Sequence, residues 1–315
     1  LHKIPSGSIV TLHDEWLYCG SEHYYKVQDN SNDFISGYRY FKNNVSGIHW
    51  NALIWKIKRQ KLAHRKDLIY TVPSTWMLKR AKESAILKNS DIRLMPNPVD
   101  TDIFRPSPEN QKKSLRVSLN IKTTSFLVVY GAIAGSKNKL KGIDQLKKSL
   151  EILRSKCDDL NKKEIVLVDI GGSIGEDKLC GFRSISLGYI DDRNYLSNLF
   201  SSADCVIVPS LLEAFGQIAA EALSCSTPVI SFDTSGLRDL VIHERTGLVA
   251  KEHSSVALCD QLLAIMNLTH DDRLRMGQNG RNHILEKFSF PVISEIYQNI
   301  ILDAINLKNK SKLKN

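Results

Sequence analysis

From about residue 114 the chain alternates between short, continuous apolar runs and segments with helical periodicity, and few folds accept that pattern. FLVVYGA (126–132), IVLVDIGG (165–172), ISLGYI (185–190), CVIVPS (205–210) and PVISFD (228–233) read as strands. Between them, KGIDQLKKSLEILRSK (141–156) carries Ile143, Leu146, Leu150 and Leu153 at helical spacing. NYLSNLFSSAD (194–204), Gly216 to Ser224, 254–267 and 271–287 read as further helices. Strands that are apolar throughout, rather than at every second position, belong to a parallel sheet covered on both faces. Crossovers in such a sheet are right-handed, and ligands sit at the carboxyl ends of the strands. The expectation is α/β, a Rossmann-like domain.

The first 105 or so residues differ. IVTLHD (9–14), LIYTVPS (68–74) and IRLMPNPVD (92–100) read as strands separated by long aromatic and polar stretches. Three strands are fewer than a complete α/β domain of about 100–150 residues usually contains. Because the chain also starts with Leu1 rather than Met, the reading is that an N-terminal portion is missing. PNPVDTDIFRPSPE (96–109), with four prolines, suits a linker and hinge. The expected division is 1–105, 106–287, and a C-terminal helix with basic tail at 288–315.

Composition narrows the classes. Hydrophobic residues make up 42% and charged residues 24%, as in an ordinary globular protein. No stretch approaches the ~20 apolar residues that span a bilayer, and no secretory signal is present. The six cysteines show no CxxC or Cys/His ligand spacing, which disfavours a disulfide framework or zinc site and fits a reducing cytoplasm. Cys205 and Cys225 read as core thiols. The net charge of +9 is local. The tail 306–315 has four lysines and no acid, and WNALIWKIKRQKLAHRK (50–66) has six Lys or Arg beside an apolar set, Trp50, Leu53, Ile54, Trp55 and Ile57. Such a helix either packs on a core with a solvated basic face or lies on an anionic membrane surface. Nucleic acid is disfavoured because no basic–aromatic reading module accompanies the charge.

The chemistry concentrates in SLLEAFGQIAAEALSCSTPVIS (210–231), where Glu213 and Glu221 flank Phe215–Gly216. Glu213 falls in the loop at the carboxyl edge of the sheet. The free amides of Gly216, Gln217 and Ile218 at the helix start, with the helix dipole, suit a phosphate. Glu221 lies ~7.5 Å along the helix from Gly216, which places it to accept hydroxyls about one sugar ring away. One carboxylate per sugar with phosphate between them suits a sugar nucleotide. The spacing alone is weak; two glutamates near a helix start often serve only dipole and solvent. A second glycine loop, GAIAGSKNKLKG (131–142), has three glycines and three lysines between a strand and a helix. It is not G-x-x-x-x-G-K-[ST], so a P-loop ATPase is disfavoured.

These pieces, in this order and spacing, resemble the donor-binding domain of retaining GT-B glycosyltransferases of family 4, the glycosyl transferases group 1. The resemblance is carried by the loop ending Lys141–Gly142, LGYIDDRNYLSNLFSSADCVIVPS (187–210), EAFGQIAAE (213–221) and PVISFDTSGLRDLVIHERTGLVA (228–250). TLHDEW (11–16), TVPSTWM (71–77), PNPVDTDIFRP (96–106) and the final helical stretch 288–305 fit the family's order too. The fold implied is two Rossmann-like domains, the N-terminal one incomplete, with the last helix crossing back to the first domain.

The resemblance implies roles. His13, Lys141 and Glu213 would be catalytic: His13 facing the donor sugar, Lys141 stabilising the leaving diphosphate, Glu213 holding sugar hydroxyls. Ser136, Lys137, Gly171, Gly172, Tyr189, Ile190, Ala214, Phe215, Gly216, Gln217, Ile218 and Glu221 would complete the donor site, with Glu221 on the ribose and Tyr189–Ile190 against the base. Where the family commonly has an arginine after the first glycine, Ala132 follows Gly131, leaving Lys137 or Lys139 to substitute. The implied reaction moves a sugar from a nucleoside-diphosphate-sugar to a glycan or lipid-linked acceptor with retention. It needs no cofactor and no metal. The expected setting is cytoplasmic, peripheral to the membrane, in polysaccharide or lipopolysaccharide assembly. Two other readings stand beside it: a sugar-nucleotide epimerase on the same scaffold, and a non-catalytic nucleotide-sugar-binding chain.

Overall fold

A computed structural model describes residues 3–24, 32–38, 50–131, 138–156, 164–172 and 174–312. The chain divides into two compact units, Leu1–Asn97 with Ile293–Asn315, and Pro98–Val292. The first boundary therefore falls inside the proline-rich stretch, ahead of the 105/106 division read from sequence.

The first unit contains β1 (Ile9–Thr11), α1 (Asp33–Ser36), α2 (Trp50–Leu62), β2 (Ile69–Val72), α3 (Thr75–Glu83) and β3 (Asp91–Leu94). The strands form a parallel sheet in the order β1-β2-β3, with Ile9 opposite Ile69 and Ile69 opposite Asp91. The central strand is buried along its whole length. Ser74 starts α3 by accepting a hydrogen bond from the Met77 amide, a standard cap for the unpaired first-turn donors.

Helix α2 corrects the amphipathic reading of 50–66. Of the proposed apolar set only Trp55 is buried; Trp50 and Ile57 are exposed. The inward positions are Ala52, Trp55, Lys58 and Leu62. Lys58 belongs to the supposed basic face, yet its Nζ donates to the carbonyls of Trp16, Cys19 and Gly20. It also sits 3.7 Å from the centroid of the Trp16 ring. Burial pushes its pKa down to about 8. Arg65 is likewise engaged, with Asp67 and the Ile4 carbonyl. Lys58 thus pins the loop after β1 and Arg65 the segment before it, while Lys56, Arg59, Lys61 and Lys66 are exposed and form the solvated basic face.

The second unit contains α4 (Glu109–Ser118), β4 (Phe126–Gly131), α5 (Ile143–Lys156), β5 (Ile165–Ile170), β6 (Gly175–Leu179), β7 (Phe182–Ser186), α6 (Arg193–Ser202), β8 (Cys205–Val208), α7 (Gln217–Ser224), β9 (Val229–Phe232), β10 (Gly247–Ala250), α8 (Ser255–Asn267) and α9 (His270–Lys287). The last helix, α10 (Phe290–Lys312), begins here and continues in the first unit, where Ile300 and Ala304 pack on Ile69. The sheet order is β10-β9-β8-β4-β5-β7-β6. All pairs are parallel except the β6–β7 hairpin. Alternate residues of one strand serve opposite faces: Leu127 and Val129 join a core with Leu199, Ala219, Leu223 and Ile284, while Phe126, Val128 and Tyr130 meet Leu146, Leu150, Leu258 and Leu262. Each such buried side chain stabilises the fold by about 1.5–3 kcal/mol.

Two strand readings change. ISLGYI (185–190) is a strand only at its start; β7 is Phe182–Ser186, and the chain leaves the sheet at Leu187. The preceding polar GEDKL forms β6, an exposed edge strand with no apolar pattern to announce it. β10 and α4 were also not expected from the sequence.

From β4 the chain winds outward through β5 and β7; from β8 it winds the other way through β9 and β10. The reversal lies between β4 and β8. Loops leaving adjacent strands on opposite sides of such a point open a crevice at the carboxyl edge.

Candidate functional site

The loops bounding that crevice carry Lys141 and Glu213. After β4, residues Lys139–Lys141 form a 3-10 turn capped by the Asn138 side chain, which accepts from the Leu140 amide. Gly142 follows at φ 66, and a Cβ there would lie 1.8 Å from the Pro209 carbonyl oxygen. Only glycine permits that approach. The Leu211 amide donates to the Leu140 carbonyl at 2.8 Å, locking the turn to the loop after β8. This contact delivers Lys141 Nζ to within 2.6 Å of Glu213 Oε1.

Glu213 is held from several sides. Its Oε1 also accepts from Ser210 Oγ at 2.8 Å, its amide donates to Ser235 Oγ at 2.8 Å, and its carbonyl accepts from the Gly236 amide at 2.9 Å. Among the described residues, Oε2 has no hydrogen-bond partner and remains available to a ligand. Ala214 and Phe215 continue the loop. Ala214 lies against Gly236, where a Cβ would stand 2.5 Å from the Ala214 carbonyl oxygen. Phe215 is buried against Phe288.

Gly216 is the N-cap of α7 at φ 109, and no side chain caps this helix. The amides of Gln217 and Ile218 are first-turn donors without intrahelical acceptors. Glu221 stands one turn further on, accepting at Oε1 from Gln217 Nε2 at 3.0 Å. Burial raises its pKa from 4.5 to about 7, opposed by the Gln217 hydrogen bond and the charge of Arg193.

The third wall is the loop after β5. The Gly171 amide donates to the Gly188 carbonyl at 2.7 Å, joining the loops after β5 and β7. Gly172 lies under the Asp169 carboxyl, which accepts from Ser186 Oγ at 3.2 Å and whose pKa burial raises. Of the expected base-contacting pair, Tyr189 is 69% exposed at this edge, whereas Ile190 packs on the core. Ser136 and Lys137 lie outside the described residues, as does Ala132. Lys139 is exposed. His13 belongs to the first unit, exposed on the loop after β1. Beside it Asp14 pairs with His23 Nδ1 at 2.6 Å.

Sequence reasoning missed Ser210 and Ser235. The first had a signal, a hydroxyl three residues before the glutamate; the second meets Glu213 only through the fold. Among the described residues no group of three or more His, Cys, Asp or Glu is placed to hold a metal ion.

With this geometry in view, the sequence profile of "Glycosyl transferases group 1" matches residues 111–283, more than half of the chain. The chain belongs to the glycosyl transferases group 1 family. Among curated relatives, a D-inositol 3-phosphate glycosyltransferase of Xylanimonas cellulosilytica is 33% identical over 189 residues, 56% of this chain and 43% of that protein. The chain spans about half the length of the curated relatives it matches. Sucrose-phosphate synthase from Thermosynechococcus elongatus is similar in structure, with TM-score 0.65 and 21% identity over 98% of this chain and 68% of that one. The Anabaena protein HepE in complex with UDP and glucose matches with TM-score 0.60 and 17% identity, covering 78% of this chain and 66% of that one. The fold of this family member is α/β with parallel sheets, like those GT-B structures. No helix among its described residues is long and apolar enough to cross a membrane.

Proposed function

We propose that the chain binds a nucleoside-diphosphate-sugar in the crevice between the loops after β4 and β8 and transfers its hexosyl group, with retention, to a glycan or lipid-linked acceptor. The observation that carries this reading is the placement of Lys141 and Glu213, 2.6 Å apart, at the sheet reversal beside the uncapped start of α7. A diphosphate there meets Lys141, the helix dipole and the amides of Gly216, Gln217 and Ile218. Glu213 Oε2 accepts from sugar hydroxyls, and Glu221 from the ribose. Tyr189 lies at the edge where the base would rest.

In this reading the bond from the anomeric carbon to the diphosphate oxygen breaks with its electron pair on the leaving group, while an acceptor hydroxyl bonds to that carbon from the same face and gives its proton to the departing diphosphate. Fixed donors aimed at developing charge stabilise such a departure most. Lys141 and the amides supply that charge without a metal ion. The exposed Trp50, Ile57 and Lys61 on α2, together with the lysines of the C-terminal tail, support docking at an anionic membrane where lipid-linked acceptors of surface polysaccharide assembly reside.

The test is a thermal-shift titration with UDP, GDP, ADP and their glucose or mannose conjugates, on wild type and Lys141→Ala. A ligand at a hundred times its dissociation constant stabilises the fold by ~2.7 kcal/mol. A melting shift with one nucleotide series, strongly reduced in Lys141→Ala, is expected. A cooperatively melting wild type that responds to none of them refutes the reading.

A further inference from the structure

We propose that Ser235 is a positioning residue for Glu213: its hydroxyl fixes the backbone from which that carboxylate reaches the donor sugar. The proposal rests on the assignment of Glu213 to the sugar given above.

Ser235 opens a 3-10 turn after β9, Ser235–Asp239, at φ 41. Side chains other than glycine rarely adopt this conformation, and serine has no special tolerance for it. Glycine would fit the backbone without strain, so the serine is unexplained by local conformation. Its side chain supplies an explanation. Ser235 is 4% exposed, and its Oγ accepts the Glu213 amide at 2.8 Å.

The neighbours of Ser235 act on the same loop. Thr234 Oγ1 donates to the Leu211 carbonyl at 2.8 Å, and the Gly236 amide donates to the Glu213 carbonyl at 2.9 Å. Three consecutive residues therefore grip Leu211, Glu213 and Ala214 from β9's side. Ser235 and Gly236 together secure both the amide and the carbonyl of Glu213. Ser210 and Lys141 hold Oε1, which leaves Oε2 as the oxygen turned to a ligand. A carboxylate fixed at backbone and at one oxygen presents its second oxygen in one orientation. Such preorganisation lets a hydroxyl bind without first ordering the loop.

The variants are Ser235→Gly, which removes the hydroxyl and the strain together, and Ser235→Ala, which removes the hydroxyl alone. Dissociation constants are measured by calorimetry for a nucleoside diphosphate and for its sugar conjugate, using whichever pair wild type binds among UDP, GDP and ADP. Melting temperatures are recorded alongside. Ser235→Gly is expected to melt no lower than wild type and to bind the sugar conjugate about fivefold more weakly, the worth of one hydrogen bond. Binding of the bare nucleoside diphosphate should stay within about twofold, because Glu213 does not touch it in this assignment. Ser235→Ala should show the same selective loss. Parallel weakening of both ligands, or no weakening of the conjugate, overturns the positioning role while leaving the donor site intact. A folded wild type that binds neither ligand of any pair overturns the donor-site assignment and this proposal with it.

Discussion

Glu221 makes nucleotide-sugar binding depend on pH in a direction that can be worked out from its surroundings. Burial raises its pKa to about 7, so in the empty protein the carboxyl is half protonated near neutrality. Accepting hydrogen bonds from two ribose hydroxyls requires the carboxylate. At pH 6 roughly a tenth of the molecules carry it, and at pH 8 roughly nine-tenths do. Affinity for a nucleotide sugar should then rise about tenfold from pH 6 to pH 8, or ~1.4 kcal/mol. A sugar conjugate is the proper ligand, because its diphosphate has no group that titrates near neutrality. Calorimetry at pH 6, 7 and 8 on wild type and Glu221→Gln measures the effect. The glutamine variant should bind with a flat profile over this range. The stability of the empty protein should move the opposite way. A carboxyl whose folded pKa lies above its unfolded value of 4.5 favours the fold most when protonated. That contribution is lost as pH rises from about 4.5 to about 7, on the order of 1–3 kcal/mol because the side chain is only partly shielded. A pH-independent wild-type affinity, or an identical slope in Glu221→Gln, would refute the reasoning.

Two other perturbations test the supports of the structure. Gly142→Ala places a Cβ 1.8 Å from the Pro209 carbonyl oxygen at φ 66, so the 3-10 turn must move. We expect a loss of about 3 kcal/mol or more in denaturant unfolding, with nucleotide binding abolished as Lys141 leaves Glu213; a variant of wild-type stability that binds normally would show that the contact is not required. Arg80→Met removes the cation paired with the fully buried carboxylate of Glu15, whose ion pair with Arg80 anchors the loop after β1, and leaves the Tyr18 hydroxyl donating to it. Removing one member of a buried pair costs about 3–5 kcal/mol, read as a lower melting temperature that Glu15→Gln in the same chain should partly restore.

What could be read from the sequence follows from the kind of interaction involved. The buried parallel strands were legible because each needs an unbroken apolar run, and FLVVYG, IVLVDI, CVIV and VISF all became strands. Strand β6 was not legible because both its faces are largely exposed, so GEDKL carries no burial pattern at all. Lys58 was misread because composition counts a charge without its acceptors; three carbonyls from a loop some forty residues earlier take it inside. At the site, Lys141 was visible as a charged residue beside Gly142, and Glu213 as one three residues before Gly216. Their ion pair was not, since it joins segments 72 residues apart. Ser235 lay wholly out of reach, because nothing local to TSGLRD says which amide its hydroxyl will meet.

Backbone conformation at the carboxyl edge ties these observations together. The loops after β4, β5, β7, β8 and β9 each contain a residue at positive φ: Gly142, Gly171, Gly188, Gly216 and Ser235. Five adjacent loops that all turn this sharply bring their backbones together at the end of the sheet where ligands bind in α/β folds. Four of the five use glycine, which adopts the turn at no steric cost. The fifth keeps a side chain in a strained conformation, and that side chain bonds the amide of the glutamate proposed to meet the sugar. Strained residues persist when the surrounding structure over-determines them, and they cluster where function needs a fixed geometry. If the serine were retained only by chance, replacing it with glycine should improve stability and leave every ligand's affinity unchanged. If it serves Glu213, the same replacement should leave the melting temperature no lower than that of wild type and weaken the sugar conjugate alone, so selectivity between the two ligands, and not stability, decides between them.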